Sequence, residues 1–180
     1  MPEQRWNIPG TVRRKIAETM ERTLFGDRES QRDVTGQIEQ VGKRELAMRM
    51  AGTRDTRSRA YKSARDSLTR WGRGARSPSG KSLDRVAGAG RSFRADQFRD
   101  TGRLSVAMIG TFQTSRTDWQ GAARAELTGG ALDMFLGAVE RGDAEMAART
   151  VARAYGPDFA DYVTGIKDVK EFRLRDGGTQ

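Results

Sequence analysis

The chain has 180 residues, with 33 Lys+Arg against 24 Asp+Glu, no histidine and no cysteine, for a formal net charge of +9. Lacking Cys and His, it excludes disulfides, zinc fingers and imidazole-based catalysis, and any metal site would have to be built from carboxylates alone. We therefore expect no cofactor, no metal and no enzymatic activity.

Hydrophobic content of 36% and aromatic content of 7% support a core, divided between two modest units rather than gathered into one. The start of the chain, MPEQRWNIPG, has no apolar signal-like region, and no 18-residue apolar run occurs. The expectation is a soluble, cytoplasmic protein without a membrane partner.

Residues 1–10 read as an arm ended by Pro9-Gly10. Val12, Ile16, Met20 and Leu24 recur every four residues and predict a helix to Phe25, with Thr11 as N-cap and Gly26-Asp27 as its stop. Val34, Ile38 and Val41 mark a second helix, broken near Gly42. Lys43 to Met50 mark a third, with Leu46, Ala47 and Met50 on one face.

The following TRDTRSRAYKSARDSLTRW allows two readings. Ala60, Tyr61, Ala64, Leu68 and Trp71 share one helical stripe, giving a single helix over 57–72; alternatively 53–62 is an extended loop and the helix begins near Ser63. After Pro78, Ser79 or Ser82 caps a short helix with Leu83, Val86 and Ala87, which Gly88 and Gly90 end. Another short helix over 94–100 carries Phe93 or Phe98 into the core.

From Arg103 the period changes to two. Leu104, Val106 and Met108 predict a strand, and Trp119, Gly121, Ala123, Ala125 and Leu127 a second, joined as a hairpin with a polar tip at 114–118. Two helices follow, one with Leu132, Phe135, Leu136 and Val139, the next capped by Asp143 and ended by Gly156-Pro157. Residues 130–155 read as structural or dimer-forming. Asp158 to Thr164 predicts a short helix, and Val169, Phe172 and Leu174 a last strand. The fold class is thus mostly α with a small α+β C-terminal part: a basic helix-turn-helix domain over 1–101, and a hairpin/two-helix/strand domain over 102–180 serving dimerisation or terminal linkage.

Charge distribution points to function. Residues 41–103 hold 17 Lys+Arg against 6 Asp+Glu, leaving 16 against 18 elsewhere, so one segment carries the whole basic excess. That is the footprint of a polyanion-binding module, and the predominance of arginine suits bidentate contacts to phosphate and guanine. Within it, Ser67 and Thr69 with Arg65 and Arg70 place short donors and long arms on one helix, as major-groove readout requires. Arg57, Arg59, Lys62, Arg73, Arg76 and Lys81 add phosphate contacts. The GRGARSPSGKS segment (72–82) ends like a phosphate loop, but the required first glycine falls on Ala75, and no buried strand precedes it.

The stretch SLTRWGRGARSPSGKSLDRVA resembles the recognition-helix segment of phage-repressor-type helix-turn-helix proteins. It departs upstream, where about ten extra residues separate Leu46-Ala47 from Trp71. In overall order, ending in DVKEFRLRD, the chain is similar to the telomere-associated terminal proteins of linear bacterial replicons, which bind DNA ends and join covalently to the 5′ end through a threonine hydroxyl. That resemblance implies DNA as ligand and a DNA polymerase or other replication protein as partner; a homodimer is expected from residues 130–155, since two-fold pairing would let two readers engage adjacent half-sites. The resemblance places the linked hydroxyl in TSRTDW (114–119), on Thr117, with Thr114 and Ser115 as neighbours. The polymerase's metal ions would activate it, so no local histidine base is needed. The alternatives are a helix-turn-helix transcriptional repressor with a C-terminal dimerisation domain, and a basic scaffold that packages nucleic acid.

Overall fold

The computed structural model describes residues 5–175. It is mostly helical, with one small antiparallel sheet from the C-terminal part of the chain. Its contacts divide into two compact units. One comprises Phe25–Gln97; the other combines the residues up to Leu24 with those from Phe98 onward. The sequence-based division at 101/102 assigned the first helix to the basic domain, whereas that helix belongs with the sheet.

The helical unit contains α2 (Arg28–Arg32), α3 (Val34–Val41), α4 (Lys43–Ala51), α5 (Arg59–Gly72) and most of α6 (Gly80–Thr101). The apolar stripes read from sequence meet here: Leu46, Leu68 and Val86 are fully buried, beside Val34, Ala47, Met50, Tyr61, Ala64 and Ala89, with Ile38 and Trp71 packed around them. Each complete burial of a Leu or Val side chain stabilises by about 1.5–3 kcal/mol. The short α2 was not anticipated. It has no apolar period of its own, and forms because Asp27 accepts the Ser30 N–H at 2.8 Å as N-cap.

The helix α5 starts at Arg59, with the Ser58 hydroxyl accepting the Tyr61 N–H at 3.1 Å. This is close to the single-helix reading and rejects the extended loop to residue 62. The stretch between Leu46-Ala47 and Trp71 is made of the end of α4, the connection 52–58 and α5. The connection is locally ordered: Thr53 Oγ1 accepts the Asp55 N–H and Asp55 Oδ1 the Arg57 N–H, the short-range side-chain bonds that favour turns over helix.

The clearest correction concerns α6. Gly88 and Gly90 do not end a helix; one helix of 22 residues runs through both and absorbs the separate helix expected at 94–100. Gly90 is buried because the Gln37 side chain lies where its Cβ would be. Gln37 is held there by donating to the Ser30 carbonyl at 3.1 Å. This glycine permits close packing rather than termination. Of the two candidate caps, Ser79 acts: its Oγ accepts the Ser82 N–H at 3.2 Å.

The second unit contains α1 (Gly10–Phe25, to Leu24), β1 (Arg103–Thr114), β2 (Trp119–Thr128), α7 (Gly129–Glu140), α8 (Ala144–Tyr155), α9 (Pro157–Tyr162) and β3 (Val163–Leu174). The sheet order is β2-β1-β3, all antiparallel. In the hairpin, Leu104 pairs with Leu127, Val106 with Ala125, Met108 with Ala123 and Phe112 with Trp119. This row and the facing residues of β3 make the apolar face, where Phe172 stacks on Phe135 of α7 at 5.8 Å. Buried residues run without a break from Ala147 to Ala152, so the middle of α8 is enclosed all round, while Arg153 to Tyr155 at its end are exposed. Of the apolar residues of 130–155, Leu132, Phe135, Leu136, Val139 and Val151 are buried within the chain's own fold, whereas Met134 and Tyr155 are exposed.

Three further expectations change. First, α1 begins at Gly10, so Thr11 lies in its first turn and is not the cap. Second, the described part of the expected arm is tied down: Trp6 and Ile8 are buried, and Asn7 pairs with Gly165 of β3. Third, the helix expected to reach Thr164 stops at Tyr162, and β3 starts at Val163 because residues 163–166 pair with β1. Among the described residues, no helix is long and apolar enough to cross a membrane.

Candidate nucleic-acid interface

Residues 43–81 of the helical unit hold twelve Lys+Arg against three Asp+Glu. Among the described residues, Arg49 is the only one of the twelve that is ion-paired, meeting Glu45 and Asp96 at 2.7 Å each. Burial opposes its charge, but the hydrogen bonds and charges of Asp96 and Glu45 outweigh this and raise its pKa. Lys43, Arg44, Arg54, Arg57, Arg59, Lys62, Arg65, Arg70, Arg73, Arg76 and Lys81 have no carboxylate partner among the described residues. Two basic residues nearby are engaged within the unit instead: Arg32 pairs with Asp84, and Arg85 donates to the Met50 carbonyl at 2.9 Å. The segment thus displays cations that the protein itself leaves unbalanced.

The geometry of α5 distributes them. Tyr61, Ala64 and Leu68 face the core. At 3.6 residues per turn, positions five apart are separated by about 140° around the helix, so Arg65 and Arg70 lie on different sides. Arg65 joins Lys43, Arg44, Thr56 and Tyr61 around an open cleft of about 480 Å³. Arg70 and Ser67 join Trp71, Arg76, Ser79 and Ser82 around another of about 350 Å³. Arg59, Lys62 and Arg73 are exposed along the outer face of α5 or at its end.

The four reader residues expected on this helix therefore do not form one row. Ser67 and Thr69 diverge as the two arginines do, and the Thr69 hydroxyl donates back to the Arg65 carbonyl at 3.0 Å. Arg57 stands in the 52–58 connection and Lys81 in the first turn of α6, both exposed. Lys43, Arg44 and Arg54 were counted in the basic excess but not singled out. Only the packing of α4 against α5 brings Lys43 and Arg44 beside Arg65.

The second cleft has a definite chemistry. Its lining combines two guanidinium groups with hydroxyls at the start of a 22-residue helix, where backbone N–H groups and the helix dipole favour negative charge. Ser79 already caps one N–H, so the arginines supply most of the attraction for a phosphate oxygen.

In the sheet unit, the hairpin tip is built around Thr114. Its Oγ1 accepts the N–H groups of Thr117 at 3.1 Å and Arg116 at 3.3 Å, and donates to the Thr117 carbonyl. That hydroxyl shapes the turn. Ser115 and Thr117 are exposed, and their hydroxyls have no hydrogen-bond partner among the described residues. Asp118 pairs with Lys167 at 2.7 Å, and the Ser115 N–H donates to the Tyr162 carbonyl at 3.2 Å, fixing both sides of the tip. Trp119 packs against Phe112, Tyr155 and Phe159, so its ring belongs to an aromatic cluster rather than to an open stacking platform.

No protein-family model, no curated protein and no solved structure matches the chain.

Proposed function

We propose that this protein binds DNA through the helical unit, with the connection from α4 to α5 as an enlarged helix-turn-helix, α5 as the element presented to the duplex, and the α5–α6 turn as the phosphate clamp. The observation that carries this reading is the set of eleven Lys and Arg side chains between residues 43 and 81 without carboxylate partners, on an otherwise well-packed unit. Unbalanced cations held on short helices attract a polyanion and release its counterions on binding. Two clefts on opposite flanks of α5 favour contacts to phosphates on both sides of a groove, while Arg59, Lys62 and Arg73 on the outer face and end of α5 supply the arms for base edges. The test is a gel-shift panel of duplex, hairpin and single-stranded DNA at two salt concentrations. Binding that does not weaken with salt would overturn the assignment.

The specific version is a terminal-protein-like role at the ends of a linear or mobile replicon, with the Thr117 hydroxyl as the 5′-linked group and a DNA polymerase as partner. Its support is the exposure of Thr117 on a tip whose neighbouring hydroxyl, on Thr114, is occupied by the turn. The priming step would attach the α-phosphate of a deoxynucleoside triphosphate to Thr117 Oγ1, releasing pyrophosphate and the hydroxyl proton. Thr117→Ala should abolish polymerase-dependent deoxynucleotidylation and leave DNA binding intact. Unchanged labelling of Thr117→Ala would eliminate priming through this residue and leave the repressor reading.

A further inference from the structure

The two edges of the sheet are treated differently. On the β3 side, the Asn7 N–H donates to Thr164 O at 2.7 Å, the Ile166 N–H to Asn7 O at 3.1 Å, and the Thr23 hydroxyl to Phe172 O at 3.1 Å. On the other side, β2 makes no backbone hydrogen bonds beyond those to β1 among the described residues. A ten-residue strand with a free edge is a template for pairing with another strand.

The charges on β2 indicate which strand. Ala123, Ala125 and Leu127 are buried on the helix side, so Arg124 and Glu126 stand on the outer face, both exposed. Neither has an ion-pair or hydrogen-bond partner among the described residues. Their counterparts on β3, also two positions apart, do bond to each other: Arg173 donates to Glu171 at 2.5 Å and thereby holds its carboxyl below the usual range. A free cation and a free anion two residues apart on an edge strand are self-complementary under a two-fold axis.

We infer that β2 pairs antiparallel with β2 of a second copy of this chain, with Ala125 on the two-fold axis, extending the sheet to six strands. Each Arg124 then lies directly opposite Glu126 of the second copy, and the symmetry satisfies the pair twice. Centring on Arg124 or on Glu126 instead would set like charges opposite each other. Centring on Ala123 would leave Arg124 facing Ala122. On the helix side Ala123 and Leu127 are already covered within the chain, and the small side chain of Ala125 stands at the axis. This dimer does not depend on the DNA-binding assignment.

The experiment is sedimentation velocity on the full chain, without DNA, across a concentration series, with circular dichroism to verify folding. Wild type should sediment as a dimer. Arg124→Glu and Glu126→Arg should each weaken dimerisation at least tenfold, and the double reversal R124E/E126R should restore it, because both cross-strand pairs re-form with exchanged signs. A wild-type monomer at all concentrations, single reversals without effect, or a double reversal no better than the singles would each overturn the inference.

Discussion

Gly88 and Gly90 sit two positions apart in the same helix, and substituting alanine at each should have opposite effects. Glycine costs a helix interior about 1 kcal/mol relative to alanine, so both substitutions begin with that gain. At Gly88 the nearest atom to an added Cβ is Arg91 Nη2 at 4.0 Å, which is ordinary contact, so Gly88→Ala should stabilise by about 0.5–1 kcal/mol. At Gly90 the added Cβ would overlap the amide of Gln37. That side chain is buried and its Nε2 donates to the Ser30 carbonyl at 3.1 Å. Moving it forfeits a buried hydrogen bond, at about 1–3 kcal/mol, and overpacks the α3–α6 contact, at about 1–3 kcal/mol more. The losses exceed the helix gain, and Gly90→Ala should destabilise by about 1–5 kcal/mol net. Urea unfolding followed by circular dichroism measures both; the midpoint should rise for Gly88→Ala and fall for Gly90→Ala at similar slope. If the two variants moved in the same direction, the account of α6 as one helix packed on Gln37 would be wrong.

Three other outcomes follow, two from the interface and one from β3. Arg65→Ala and Arg70→Ala should each weaken specific binding by about 1–3 kcal/mol if they reach bases, and reduce the salt slope by about 0.9 if they reach phosphate; fluorescence anisotropy on specific and random duplexes separates these outcomes, and no change for either would remove both clefts from the interface. Binding should be nearly flat from about pH 5.5 to 9, because the chain has no histidine or cysteine and arginine supplies most of its positive charge; a step near pH 6.5 in an anisotropy titration would contradict this. On the acid side, the Arg173 hydrogen bond lowers the pKa of Glu171 from 4.5. The pair's contribution is full above the unfolded carboxylate range and is lost as pH falls through the lowered folded value. An NMR titration of the Glu171 carboxyl should therefore show a midpoint below that of an Arg173→Ala variant.

Much of the local structure was legible in the sequence because short-range chemistry decides it. The four-residue spacing of Ile16, Met20 and Leu24, the alternation of Leu104, Val106 and Met108, the cap at Asp143 and the polar tip at 114–118 all rest on neighbours close along the chain. The basic excess of 41–103 was equally plain, since charge is a property of composition. Tertiary contacts decided the rest. Gly90 is a stop signal in isolation and a packing position once Gln37 lies against it. Residues 163–166 became strand because they pair with β1, and residues 6–8 became part of the same unit because Asn7 bridges to Gly165. Helical periodicity already separates Arg65 from Arg70; the fold decides what each meets, sending one to the Lys43–Arg44 side and the other to Arg76, because Leu68 and Tyr61 face the core and so fix the rotation of α5. The sequence by itself determined which residues are basic and where the strongly periodic helices and strands lie; only the tertiary structure decided which of those charges stand together, since that depends on which face of each helix is buried.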